Sequence, residues 1–214
     1  MEDKPKIIIY DSEIINCVPD WKTERDPAYK YCNGWGDYKG MGIAVICAFD
    51  FSEMRYRVFL EDNFDAFQEL ADSADIICGY NSHSFDDNLM EAHGIRVKSN
   101  YDLLRFVRVA SGQPADFTRG KTKGGYTLGA VAGANFGGSK TEDGAHAPKM
   151  WQDGKHGRVI DYCLEDVRLT RRIIGLKSDV LDPVTSQMLS VETIPQMWAR
   201  VQAENKPEQG QLFK

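Results

Sequence analysis

The 214-residue chain, 24.1 kDa, has room for one ordinary domain. At 42% hydrophobic and 27% charged residues it describes a soluble globule with a real core, and no apolar run approaches the ~20 residues that span a bilayer. A net charge of −6 excludes a simple polycationic nucleic-acid wrapper. It leaves open a nucleic-acid enzyme, because carboxylates that hold metal ions count as negative charge. Cys17, Cys32, Cys47, Cys78 and Cys163 are odd in number and scattered, so reduced thiols and a cytoplasmic location are expected, with neither disulfides nor a zinc site. The start, MEDKPK, has no apolar stretch behind it of the kind that directs secretion.

In chain order, Ile7 to Tyr10 continues through Asp11 and Glu13 to Ile15 and predicts a strand buried on both faces. Gly42–Phe49 is a second apolar strand, and Arg55–Leu60 alternates as a third. Asn63 is placed as the cap of a helix over Phe64–Ala71, followed by a central strand at Asp75–Gly79. Helices are then predicted over Ser84–His93, Tyr101–Val109 and Thr127–Ala134, with a Gly/Lys-rich loop at 111–125. A loop over 137–157 leads to a long helix, Arg158–Leu176, and one more helix is expected over Ile194–Ala203. Short-turned strands followed by strand–helix alternation indicate an α/β fold with a mixed sheet flanked by helices. Residues 1–177 are read as the main domain, 178–203 as a helical extension and 204–214 as a polar tail.

Three places carry chemistry. Asp11 and Glu13 are two apart on a strand, so both carboxylates project to one face. Their repulsion beside the core suits a hard divalent cation, although a strand running out into solvent gives the same pattern. The segment Gly79-Tyr-Asn-Ser-His-Ser-Phe-Asp86-Asp87 follows a buried strand and opens a helix. Ser84 as N-cap with Asp87 at the third helical position makes an acidic capping box and leaves Asp86 over, in the first turn at the carboxyl end of a strand. On the long helix, Asp161, Glu165, Arg168 and Arg172 form the solvated stripe, and Ile160, Cys163, Leu164, Val167 and Ile174 the core stripe. Tyr162 and Asp166 belong to neither and share a side with Leu169 and Ile173, so both face protein. A Tyr–Asp hydrogen bond is one way to satisfy them; a cation is another.

Asp11-Ser-Glu13, the GYNSHSFD run ending at Asp86, and Tyr162-Cys-Leu-Glu-Asp166 together resemble, in order and spacing, the three motifs of the DEDD superfamily of 3′→5′ exonucleases. The second and third are most similar to the proofreading domains of family B DNA polymerases, and the resemblance covers about residues 6 to 176. Tyr162, four before the last aspartate, resembles the tyrosine of the DEDDy branch. The resemblance implies a ribonuclease H-like fold with a five-stranded mixed sheet. It also implies two Mg²⁺ or Mn²⁺ ions, roughly 3.5–4 Å apart, held by Asp11, Glu13, Asp86 and Asp166. Tyr162, with an ordinary pKa of ~10, is expected to orient the attacking water rather than to abstract its proton unaided. The expected substrate is single-stranded or 3′-ended DNA. RNA is the nearest rival, and a non-catalytic, clamp-tethered adaptor on the same fold is the rival of another class.

Further segments bear on substrate and partner. Trp21 to Lys39 interleaves Tyr29, Tyr31 and Trp35 with Arg25 and Lys30, which suits stacking on unpaired bases or a loop packing its own aromatics. Trp21 and Trp35, with Asn81 and Phe85 of the second motif, are assigned to nucleic-acid contact. Lys121 and Lys123, in a glycine-flanked loop read as flexible, are placed against phosphates. The last residues, Gln209-Gly-Gln-Leu212-Phe213, resemble the Q-x-x-L-F peptide by which bacterial replication and repair proteins dock on the sliding clamp.

Overall fold

The computed structural model describes residues 5–137, 146–176 and 179–204. Strand β1, Ile7–Ile14, lies at the centre of a five-stranded sheet. A long connection and a one-turn helix α1, Tyr38–Met41, lead to β2, Ile43–Asp50, which runs antiparallel to β1, and then to β3, Arg55–Phe59, antiparallel to β2. Helix α2, Phe64–Asp72, crosses to β4, Ile76–Gly79, which pairs parallel to β1 on its other side. Helix α3, Asp86–Ala92, then leads to β5, Tyr101–Asp102, parallel to β4. The strand order is β3-β2-β1-β4-β5, with only β2 reversed. This is an α/β ribonuclease H-like sheet.

Helices α4 (Leu103–Ala110), α5 (Leu128–Phe136), α6 (Ala147–Gln152) and α7 (His156–Ile174) follow, then a two-stranded ribbon of β6 (Asp179–Leu181) and β7 (Met188–Ser190), and helix α8 (Ile194–Glu204). Strands β2 and β4 are buried along their whole length, since both sides of the sheet are covered there. Ile9, Val45, Cys47, Ile76 and Cys78 pack with Val131, Val159, Cys163 and Val167, in a core that also takes in Val180, Leu189 and Met197. Ile8, Tyr10, Ile46, Ala48 and Ile77 pack with Phe67, Leu70, Leu89 and Met90 of α2 and α3. Side chains of β1 therefore alternate between an α7 face (Ile9, Asp11, Glu13) and an α3 face (Ile8, Tyr10, Ser12). No helix of the described residues is long and apolar enough to cross a membrane.

Several local expectations need correction. The predicted helix Tyr101–Val109 begins as β5, because Tyr101 and Asp102 pair with Cys78 and Gly79, and Asp102 then caps α4 by accepting from Leu104 N at 3.0 Å. Asn63 stands at the cap position of α2, but its Oδ1 accepts from Leu60 N (2.6 Å) and serves the preceding turn. The predicted helix Ser84–His93 is a 3₁₀ turn, Ser82–Ser84, followed by α3, whose N-cap is Phe85 with no side-chain cap bond. Ser84 caps nothing, so the capping box with Asp87 does not form. The expected loop over 137–157 contains α6, and the ribbon β6–β7 was not anticipated. The predicted loop flexibility at 111–125 meets cross-bracing: Thr118 N donates to Thr122 Oγ1 (2.7 Å), and Lys123 N to Gln113 Oε1 (2.7 Å). Gln209, Leu212 and Phe213 lie outside the described residues.

Candidate metal centre

The period of β1 and the turn of α7 bring three of the four predicted carboxylates together. Ligand oxygens of Asp11, Glu13 and Asp166 all lie within 4.8 Å of one another. Glu13 and Asp166 are buried, at 9% and 8% exposure. The register of β1 on β2 shifts between Glu13 and Ile14, the local irregularity that often accompanies a site at a strand end. Behind the cluster, Cys163 Sγ on α7 donates to the main-chain oxygen of Asp11 (3.4 Å), fixing the helix against the strand. Tyr162 is half-buried one helical turn before Asp166.

Three like charges this close repel by roughly 3 kcal/mol per pair at an effective dielectric of about 20. The donor set is all hard oxygen, with no imidazole or thiolate in the cluster. That is the chemistry of Mg²⁺, Mn²⁺ or Ca²⁺ rather than zinc. The residues present therefore fit a hard divalent ion.

Asp86 stands apart from that group. It is buried, at 4% exposure, and its Oδ1 accepts from Ser12 Oγ at 2.5 Å. Burial pushes its carboxyl up to about 7; Asp87's charge adds to this and the Ser12 hydrogen bond opposes it. The tight end of β4 lets this segment approach β1: a Cβ on Gly79 would stand 2.5 Å from Ser82 Cβ, so only glycine fits there. Asp87, expected to cap a helix, instead accepts from Tyr10 Oη (2.6 Å), Ser99 Oγ (2.8 Å) and Ser99 N (3.1 Å). It ties α3 to β1 and to the segment before β5. His83, read as a loop histidine, is held by Ser99 O through Nε2 (2.6 Å), while Nδ1 meets Arg105 Nη1.

The residues assigned to nucleic-acid contact separate into groups. Phe85, next to Asp86, meets Trp35 and Tyr38 edge-on at 6.3 and 6.2 Å, and Trp35 is 69% exposed. Asn81 adopts a left-handed conformation (φ 65°), with its N–H on Asp102 Oδ1 (2.8 Å). Trp21 is 88% exposed and meets Lys22 over its ring. Lys121 and Lys123 are exposed on the braced loop. Tyr29 and Tyr31 take the packing option: Tyr29 Oη reaches Asp153 (3.2 Å) and carries Lys149 on its ring, and Tyr31 carries Arg25. Gln152 of α6 completes that anchorage, accepting from Lys30 N (2.7 Å) and donating to Ile15 O (2.9 Å). Sequence reasoning gave Ser12, Gly79 and Gln152 no individual role, although the first two lie inside its motifs. For Ser12 the signal was available, since the alternation that turns Asp11 and Glu13 one way turns the residue between them the other way.

No family model and no curated protein matches this sequence. Among solved structures, the chain is similar to the family B DNA polymerase of the hyperthermophilic archaeon Pyrobaculum calidifontis, at 21% identity and a TM-score of 0.48. The match covers 78% of this chain and 24% of the polymerase, so the chain spans about a quarter of that protein's length.

Proposed function

We propose that this protein is a divalent-cation-dependent 3′→5′ exonuclease acting on single-stranded DNA ends. One observation carries the reading: Asp11, Glu13 and Asp166, distant in sequence, converge within 4.8 Å at the end of the central strand. The order of the three motifs, with Tyr162 one turn before Asp166, supports the exonuclease assignment over other metal-dependent chemistries.

In this reading Asp11, Glu13 and Asp166 hold one cation, and Asp86 contributes to a second. Bound Mg²⁺ or Mn²⁺ supplies charge neutralisation on the scissile phosphate and lowers the pKa of the attacking water. The chain's own residues do the rest. The buried carboxylates fix the site on two rigid elements, β1 and α7, so the phosphate is held in one orientation. The Tyr162 hydroxyl orients the attacking water by hydrogen bonding, a role that does not require an ionised phenol at neutral pH. Phe85 and Trp35 offer ring surface beside Asp86 to the unpaired terminal base. The C-terminal QGQLF is proposed to tether the enzyme to a sliding clamp.

The test is a pair of matched 5′-labelled single strands, DNA and RNA, incubated with Mn²⁺, Mg²⁺ or chelator. A ladder shortening from the 3′ end of the DNA, abolished by chelator, is expected. Shortening of RNA alone changes the substrate to RNA, and no cleavage of either strand overturns the enzymatic reading.

A further inference from the structure

Ser12, the residue between the two first-motif carboxylates, makes the direct link between that motif and the second. Its side chain turns away from Asp11 and Glu13, is 5% exposed, and donates to Asp86 Oδ1 across a sequence separation of 74 residues. At 2.5 Å this is a short hydroxyl–carboxylate contact of the charge-assisted class. Without Ser12, Asp86 would keep its place at the start of α3 and a backbone hydrogen bond there, with no side-chain bond from the N-cap residue. Its neighbour Asp87 is fully engaged elsewhere, by Tyr10 and Ser99. Phe85 and Asp87 thus fix the backbone around Asp86, its carboxylate meets a backbone N–H of its own helix start, and Ser12 supplies the side-chain hydrogen bond that ties it to β1.

We infer that Ser12 is a positioning residue for the second cation: its hydroxyl holds Asp86 Oδ1 and so limits the rotation of that carboxylate. The inference rests on the metal-dependent reading above and deepens it. A hydroxyl is suited to this task because it adds no charge to an already acidic site. Apolar side chains at position 12 leave Asp86 buried without its side-chain donor, which costs orientation as well as desolvation. Outer-shell partners of metal-ligating carboxylates commonly contribute 10–100-fold to metal affinity. The effect should fall more on one ion than on the other, because Asp86 stands outside the group formed by Asp11, Glu13 and Asp166.

The experiment counts Mn²⁺ bound to the full chain by electron paramagnetic resonance titration, with circular dichroism to verify folding. The unsubstituted protein, Ser12→Ala, Asp86→Asn and the double variant are compared. Two ions on the unsubstituted protein are expected, with the weaker site weakened about tenfold further in Ser12→Ala and the tighter site affected less. In the Asp86→Asn background, Ser12→Ala should add nothing. Two undisturbed sites in folded Ser12→Ala overturn the assignment of Ser12 and leave the metal reading standing. Equal weakening with and without Asp86 overturns it as well, since Ser12 would then act by another route. Absence of any Mn²⁺ binding by the unsubstituted protein overturns the metal reading itself, and the role of Ser12 falls with it.

Discussion

The two faces of β1 handle negative charge in opposite ways. On the α7 face Asp11, Glu13 and Asp166 are gathered against one another. On the α3 face Asp86 and Asp87 are each met by hydroxyl donors, Ser12 for one and Tyr10 and Ser99 for the other. Charge gathered beside a core calls for a cation; charge met by donors holds structure in place. A single strand thus carries the carboxylate cluster on one side and its scaffold on the other. Asp86 belongs to both, being anchored on the scaffold side and assigned to the chemistry.

The largest effect should come from the gathered side. Asp11→Ala or Asp166→Ala should abolish cleavage of 5′-labelled single-stranded DNA, to the level seen with chelator. The same variants should melt no lower than the unsubstituted protein in chelator, because one of three repelling charges is gone. Surviving cleavage in folded Asp11→Ala would break the comparison at its root. Tyr162→Phe keeps the ring and removes the hydroxyl, so kcat should drop by about 10²–10⁴-fold with Mn²⁺ affinity unchanged. Turnover equal to that of the unsubstituted protein would make Tyr162 a packing residue.

The scaffold side should answer in stability. Asp87→Asn weakens charge-assisted bonds from Tyr10 and Ser99 and should cost about 1.5–3 kcal/mol in denaturant unfolding, with Mn²⁺ binding retained. Asp86→Asn should do the reverse, removing nearly all activity at little cost in stability. The opposite ranking would exchange the roles of the two aspartates.

Asp86 also gives the scaffold a pH dependence. Its carboxyl is raised to about 7 in the folded protein, chiefly by burial, whereas an unfolded aspartate titrates near ~3.9. Between those values the folded state binds more protons, so this contribution to stability is complete below about pH 4 and is lost as pH rises through about 7. In chelator the melting temperature should therefore fall between pH 5 and pH 8. Asp86→Asn should flatten that slope, and an unchanged slope in the variant would assign the effect to other groups.

How much of this was legible in the sequence differs between the same two faces. The gathered side follows from local periods: two-residue alternation gives Asp11 and Glu13 one direction, and helical spacing turns Tyr162 and Asp166 inward. The scaffold side depends on partners far along the chain. Asp87 sits where a capping box is the obvious local reading, and only the approach of Tyr10 and Ser99, 77 and 12 residues away, shows otherwise. β5 was read as helix for a related reason, because two residues carry no period and only pairing with β4 defines them as strand. α6 is a six-residue helix with proline in its first turn, too short for a pattern, yet it anchors the connection between β1 and β2.

That connection provides the last and smallest test, because it contains the same contrast in miniature. Its tyrosines are spent on packing against α6 and within the loop, while its tryptophans remain exposed. The two tryptophans are not equivalent. Trp35 stands edge-on to Phe85, the residue before Asp86, and Trp21 has only Lys22 over its ring among the aromatic and cationic contacts described. In the proposed exonuclease reading, a terminal base beside Asp86 would meet Trp35 before Trp21. Stacking of one base on an aromatic side chain contributes ~1–3 kcal/mol, so Trp35→Ala should weaken binding of a single-stranded oligonucleotide about tenfold in fluorescence anisotropy. Measured in Ca²⁺, which keeps the ends uncut if catalysis requires Mg²⁺ or Mn²⁺, Trp21→Ala should change it less than about twofold. Equal losses at both positions would mean that the whole connection lies along the strand; a loss at Trp21 alone would move the terminal base away from Phe85.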